Sequence, residues 1–533
     1  MTHTPWQKTP FTNKYFSLQP QTAARILFAI FMLMGILVRI WQFGIVPGDI
    51  HQDEAFAGYE AYSLLHYGMD SAGYRFPVYL TVWGSGQSAL NAYLMIPFIA
   101  LFGPEIWAIR LPQVIVACLT LWVTYLTVRR LTNETAALCA LFLLAISPWH
   151  IAMSRWGLDA NFAPGFLMFG FYFFLRGLDN SRYLLLSGLM YGLSLYCYAT
   201  IWPIVPLIIV LEFGYGLIAK KIRIDRWLLL SACILALLAL PLMLFLLINM
   251  GLMEEIRLPF LSVPKLVQMR ASEISLEGIP GKLTRLWHII KVQSDGIPAN
   301  GTEEYGIYHM GTLSFFMLGL FYCVKTTLEH WFRKEFAIEF VLLVQAGAGF
   351  VQGALIYTNI HRSNMLFIPM IMIAAIGMYY LCSLINLRYL ALLAAFYLVL
   401  FISFTHYYFT DYKDLMDYYF CRGLKDAVAE ATSYEGPIYY SMGQEHSRIL
   451  FLSREPVTEF IETVEYYNYP SPYLVAKSFG RFCTEFDAAA PDPNATYLLS
   501  QDTDLSAFEQ QGFILHTYGY YTVAHHPENS SMQ

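Results

Sequence analysis

A polytopic α-helical membrane protein carrying a small external α/β domain at its C-terminal end is the fold class this sequence predicts, on three observations. The 533 residues are 57% hydrophobic and only 14% charged, with a mean hydropathy of +0.46, far from the composition of a soluble protein. Apolar runs long enough to cross a bilayer recur through the first three quarters of the chain. Basic residues fall in alternate connections between those runs, as in the cytoplasmic loops of multi-pass proteins.

Taken in order, residues 1–25 carry Lys8, Lys14 and Arg25 and are predicted to be cytoplasmic. About eleven spans follow, at 26–45, 110–128, 134–151, 160–176, 183–201, 202–219, 227–250, 309–325, 336–356, 363–385 and 388–405. The first run lacks a small-residue cleavage site behind a short core, so it reads as a retained helix rather than a removed signal. Ala89 to Phe102 is not counted, because it is short, contains Pro97 and ends at Gly103-Pro104; it suits a juxtamembrane helix in the first external loop. Counting it as a span would invert every later loop. Left out, it puts Arg129-Arg130, Arg176 with Arg182, Lys220-Lys221 with Arg223 and Arg226, Lys325 with Arg333 and Lys334, and Arg388 all inside.

The same parity makes 46–109, 152–159, the long loop 251–308 and 358–362 external, giving a transmembrane domain at 26–405 and an external domain at 406–533. Within the tail, 437–441, 497–500 and 513–518 alternate as short strands do, and 505–511 reads as a helix between the last two. Net charge is −6, with the signs segregated along the chain, and no basic run suggests nucleic acid. Six of the eight cysteines lie in apolar segments without metal-ligand spacing. Cys421 and Cys483 lie in the tail, where an oxidising space would allow them to pair.

The residues that point to chemistry gather on the external face. His51-Gln52-Asp53-Glu54 sets two adjacent carboxylates just beyond the first span, and ionisable groups at a membrane edge are functional candidates by default. Arg110 opens the second span, Arg155 and Asp159 follow the third, and His361-Arg362 precede the tenth. Arginine stays charged and matches phosphate with several parallel donors. A carboxylate can take the proton of an acceptor hydroxyl. Each also has a plainer reading: Asp53-Glu54 as a helix cap, Arg110 as a snorkelling anchor, Arg155 and Asp159 as an i,i+4 ion pair, and His361 as a loop residue. Trp83, Tyr59 and Tyr62 offer rings to a sugar, although an interfacial aromatic belt accounts for them too.

The succession Asp53-Glu54, Gly103 through Ile109-Arg110-Leu111-Pro112, then Ser147-Pro148 with Arg155 and Asp159, resembles the membrane-embedded GT-C glycosyltransferases. Among them it is most similar to the protein O-mannosyltransferases and the bacterial transferases of aminoarabinose to lipid A. The turn Asn359 to Asn364 is similar to the phosphate-side loop of bacterial members. The resemblance implies transfer of a sugar from a polyprenyl-phosphate donor to an extracytoplasmic glycan, lipid or protein, with inversion at the anomeric carbon. It implies Asp53, Glu54 and Asp159 as catalytic carboxylates and Arg110, Arg155, His361 and Arg362 as contacts to the donor phosphate. The Lys-Pro-Pro-Leu element of the lipid A enzymes is replaced here by Trp83-Gly84-Ser85-Gly86-Gln87-Ser88, which argues against carrying over aminoarabinose. The mannosyltransferases' large inserted lumenal domain is missing as well.

No cofactor is required by this chemistry and no metal-ligand motif is evident, although a divalent cation bridging Asp53, Asp159 and phosphate is compatible with it. Asp502-Thr503-Asp504 spells the metal-binding Asp-x-Asp of soluble glycosyltransferases, but on the side without cytosolic nucleotides. Membrane lipids are the expected surroundings, in a bacterial plasma membrane. A lipid-linked glycan transporter or flippase and an O-antigen-type polymerase are the alternative functions.

Overall fold

The computed structural model describes residues 19–81, 84–269, 274–441 and 446–529. Trp83 and most of the predicted cytoplasmic N-terminus lie outside the described residues. Helix α1 (Pro20–Ile40) begins before Arg25 and ends five residues short of the predicted span. The connection from α1 then forms α2 (Gln52–Tyr67), two short antiparallel strands β1 (Tyr79–Leu80) and β2 (Gln87–Ser88), and α3 (Leu90–Phe102). At 13 residues α3 is too short to cross a bilayer, in line with its exclusion above, and it packs between α2 and α4 (Ile106–Leu131).

A helix lies in every run predicted to span, yet several are shorter or interrupted. The run 134–151 becomes α5 (Glu134–Ala145) and α6 (Pro148–Met153), broken at Ser147-Pro148. The Ser147 hydroxyl accepts from His150 N at 3.3 Å and donates to Ile307 O at 2.9 Å, which caps the new helix and ties it to the end of the long loop 251–308. A 3₁₀ turn, Asp159–Phe162, leads into α7 (Ala163–Gly177); α8 (Arg182–Ser194), α9 (Ile204–Ile218) and α10 (Arg226–Asn249) follow.

The long loop 251–308 carries the hairpin β3 (Ile256–Leu258) and β4 (Leu261–Val263), then the amphipathic α11 (Ile279–Val292). Next come α12 (Thr312–Phe332), α13 (Ile338–Leu355), α14 (Phe367–Ile385) and α15 (Tyr389–Phe409). Among the described residues, seven segments are by themselves long and apolar enough to cross: 21–40, 106–131, 199–218, 226–249, 338–355, 364–385 and 389–409. Helices α5, α7 and α8, at 12, 15 and 13 residues, are not. The bundle is built around α14, which is enclosed along most of its length, while α1, α10 and α15 stand outward. Gly319 of α12 and Gly377 of α14 let the two backbones touch, since a Cβ on either would strike the other helix's main chain.

After α15 the chain forms α16 (Asp411–Tyr419), α17 (Leu424–Ala431), β5 (Ile438–Tyr440), α18 (His446–Ser453), α19 (Val457–Thr463), β6 (Glu465–Tyr466), β7 (Ala476–Phe479), β8 (Phe482–Cys483), β9 (Thr496–Ser500), α20 (Ser506–Gln510), β10 (Ile514–Tyr518) and β11 (Tyr521–His525). The predicted strands at 437–441, 497–500 and 513–518 correspond to β5, β9 and β10. They sit in one mixed sheet of order β10-β11-β9-β5-β8-β7-β6, with β5 parallel to both β9 and β8. Cys421, which is buried, and Cys483 do not form a disulfide with each other. The tail is not a detached domain. Ala55, Phe56 and Tyr59 of α2 share one apolar core with Val428 of α17 and Ile449, Leu450 and Phe451 of α18, so folding of the first loop and of the tail is coupled through that core.

Candidate active site

Helix α2 separates the two adjacent carboxylates. His51 is its N-cap, and Glu54, three residues on, accepts from the His51 backbone N–H at 3.1 Å while the His51 ring accepts from Asp53 N, a capping box with histidine in the usual hydroxyl position. Glu54 is fully buried. Arg110 Nε and Nη2 reach its two oxygens at 3.0 and 2.5 Å, and Gly157 N donates to it at 2.9 Å, so four donors saturate the carboxylate. Asp53, one residue earlier, turns outward; its side chain is 24% exposed and lies 3.6 Å from His51 Nδ1. The cap reading of this dipeptide therefore describes Glu54, and Asp53 stands in the first turn, where the helix dipole favours an anion.

Arg110 is likewise fully buried, and its remaining donors reach backbone carbonyls: Nη1 to Pro47 and Gly48 at 3.1 and 3.4 Å, Nη2 to Asp49 at 2.7 Å. All five guanidinium N–H groups thus have partners inside the protein. Arg155 is in the same position. It is buried and bonds five carbonyls, those of Val38, Arg39, Trp41, Gln42 and Val46, at 2.6–3.0 Å. It closes the C-terminal end of α1, where helix carbonyls lack intrahelical partners, and turns away from Asp159 rather than pairing with it at i,i+4.

Asp159 starts the 3₁₀ turn and is nearly buried; its Oδ2 accepts from Ser88 N at 3.3 Å and its Oδ1 from Ala160 N at 2.8 Å. The neighbouring Gln87 donates through Nε2 to Asp53 O at 3.4 Å, so β2 joins the two aspartate segments. Asn364 Nδ2 bonds Ala160 O at 2.9 Å, fixing the 359–364 turn to the Asp159 turn. In that turn His361 Nδ1 lies 2.9 Å from Asn300 Oδ1, its ring edge-on to Tyr198, and Arg362 N donates to Asn359 Oδ1. These hydrogen bonds link the Asp53 segment to the Asp159 turn through β2, and the Asp159 turn to the His361-Arg362 turn, while Glu54, Arg110 and Arg155 are fully buried. Tyr59 is buried and donates to Glu455 O, which leaves no face for a sugar.

Several supporting residues had weaker signals in the sequence. Arg39, the one charge inside the first apolar run, is fully buried and donates to the carbonyls of Gly35, Leu144 and Ala145 and to His150 Nδ1, the last at 2.6 Å. Asp49 accepts from Gly423 N at 2.8 Å and Lys425 N at 3.0 Å, capping α17 with a residue of the first loop. Burial raises its carboxyl above the ordinary value despite those donors. Further along α2, the buried Glu60 accepts from Ser71, and Asp70 accepts from Ala72 N, Tyr74 N and Thr81 Oγ1. Burial pushes the Asp70 carboxyl up to about 6, and burial with the charge of Asp70 lifts Glu60 well above its usual range.

The fold is GT-C-like, and two comparisons with known proteins bear on it. Residues 87–249 match the family described as dolichyl-phosphate-mannose-protein mannosyltransferase, a stretch that includes Arg110, Arg155 and Asp159 and stops short of Asp53. ArnT from Cupriavidus metallidurans, solved bound to undecaprenyl phosphate, superposes with a TM-score of 0.56 at 13% identity, over 94% of this chain and 98% of that one. The Archaeoglobus fulgidus oligosaccharyltransferase superposes with a TM-score of 0.53 at 16% identity over 83% of this chain, which spans 65% of that protein's length. No curated protein sequence matches.

Proposed function

We propose that the protein transfers a single sugar from a polyprenyl-phosphate donor to an acceptor on the external side of a bacterial plasma membrane, inverting the anomeric centre. Asp53 removes the proton of the acceptor hydroxyl as that oxygen attacks the anomeric carbon, and the bond to the phosphate oxygen breaks so that polyprenyl phosphate leaves with the electron pair. Arg362, with His361 beside it, meets the phosphate and stabilises the charge that develops on it. Asp159 positions the acceptor opposite Asp53. Glu54, Arg110 and Arg155 are positioning residues, because their polar atoms are taken up by one another and by the backbone. The observation that carries this reading is the division of labour in the Asp-Glu pair, one carboxylate locked by four donors and its neighbour partly exposed. The ArnT structure with undecaprenyl phosphate supports the donor class.

The spans are proposed to be eleven, with the N-terminus cytoplasmic and residues 406–533 external. A divalent cation between Asp53, Asp159 and phosphate is compatible with the site and not needed by it.

Purified protein incubated with short-chain undecaprenyl-phosphate sugars should release undecaprenyl phosphate. Asp53→Asn should retain donor binding and lose turnover by about 10²–10⁴, and Arg362→Ala should weaken donor binding. Translocation without release would favour a transporter, and consumption of diphosphate-linked glycans a polymerase.

A further inference from the structure

Away from the proposed site, at the outer edge of the C-terminal sheet, three metal-ligating side chains converge. Glu430 lies in the last turn of α17, and the hairpin β10–β11 supplies His516 and His525. The register pairs His525 with Ile514 and His516 with Val523, so the two imidazoles are diagonal neighbours on one face of the hairpin. One ligand atom from each of the three residues lies within 4.8 Å of the others. His516 Nδ1 is 2.5 Å from Glu430 Oε1.

The second observation is the state of the remaining polar atoms. His525 is only 7% exposed, and its Nδ1 makes no hydrogen bond; Glu430 Oε2 is also buried and unbonded. Buried acceptors left in this condition are unfavourable unless something else meets them. The His525 ring is held in place by Tyr434, which stacks on it with centroids 4.1 Å apart. The Tyr434 hydroxyl lies 2.9 Å from Nε2 and 3.3 Å from Glu430 Oε1. That is the outer hydrogen bonding by which metal-bound imidazoles are usually oriented.

We infer that Glu430, His516 and His525 bind a divalent transition-metal ion, zinc in the first instance. Two imidazoles and one carboxylate are a recurrent zinc donor set, with a fourth position left to water. The ion would join the last turn of α17 to the exposed edge strand β10. It thereby holds the end of α17 opposite to the one that Asp49 caps. This site is independent of the transferase reading.

The test uses full-length protein without an affinity tag, stripped with chelator and titrated with zinc alone against a fluorescent zinc indicator. Wild type should take up about one zinc per chain more than His516→Ala, and the variant's affinity for zinc should fall by about tenfold or more. Zinc should also raise the unfolding temperature of wild type and leave that of His516→Ala unchanged. His516 is half exposed on an edge strand, so its removal does not threaten the core. His525→Asn, which keeps the buried volume, gives a second variant with the same expectation. Equal zinc content and affinity in wild type and His516→Ala, or no zinc uptake by wild type, would overturn the inference.

Discussion

Arg110→Ala should unfold the first external loop rather than simply weaken donor binding. Both members of the Arg110–Glu54 pair are inaccessible, 0% exposed on either side. Removing the guanidinium strips Glu54 of two of its four donors, leaving a buried carboxylate held only by His51 N and Gly157 N. It also strands the carbonyls of Pro47, Gly48 and Asp49. Breaking a buried pair by deleting one partner costs about 3–5 kcal/mol, and each carbonyl that water cannot reach adds ~1–3 kcal/mol. Against a total stability of about 5–15 kcal/mol, the variant should unfold well below the wild-type midpoint in detergent. Lysine should not rescue it, since an ammonium has three donors and no planar fork. Neutralising the stranded partner should. Arg110→Met with Glu54→Gln should be more stable than Arg110→Met alone, with a coupling of roughly 0.5–3 kcal/mol. The assay is thermal unfolding followed by intrinsic fluorescence, paired with undecaprenyl-phosphate binding. An Arg110→Ala protein with the wild-type midpoint and lost donor affinity would refute the reasoning and put Arg110 on the phosphate.

Two further outcomes follow from the loop. Cysteines placed at Ser85 and Glu105 should both react with an impermeant reagent added from outside, and one at Thr132 should not; labelling at Ser85 but not Glu105 would make α3 a span and invert the topology. The Glu60–Asp70 pair gives a pH dependence. Folding raises both carboxyls above their unfolded values, so the folded state holds extra protons, and stability is full at low pH and falls as pH rises through the folded pKa values. Wild type should therefore lose thermal stability as pH rises above the unfolded carboxylate pKa of about 4, through about pH 6 where Asp70 ionises and onward as Glu60 follows, and Glu60→Gln should flatten that slope. An unchanged slope in the variant would remove Glu60 as its cause.

What the sequence could and could not disclose divides along one physical line. Apolar runs are legible because a bilayer demands some twenty apolar residues per crossing, and α4, α10 and α13 lie where that rule puts them. It fails where a run is interrupted by tertiary contacts. Ser147-Pro148 looks continuous with its apolar neighbours by hydropathy, although a serine cap before proline is a local helix-start signal, and the bond from Ser147 to Ile307, 160 residues away, adds a tertiary anchor to that break. The same holds at the proposed site. Residue type brings Asp53, Glu54, Asp159 and the arginines to attention, because charges near a membrane face are rare and costly. Their roles depend on where each donor goes. Arg110 and Arg155 have every N–H directed inward, onto Glu54 and onto carbonyls at the end of α1, and nothing in an Ile-Arg-Leu-Pro stretch states that. The C-terminal region shows the limit most plainly. Its strands alternate and can be read locally, whereas the shared core of α2 with α17 and α18, and the cap that Asp49 places on α17 across 374 residues, are relations between segments that no local pattern encodes. Because that cap and the Glu54 lock both grip the loop bearing Asp53, the position of the proposed base is set by the tail and by α4 together.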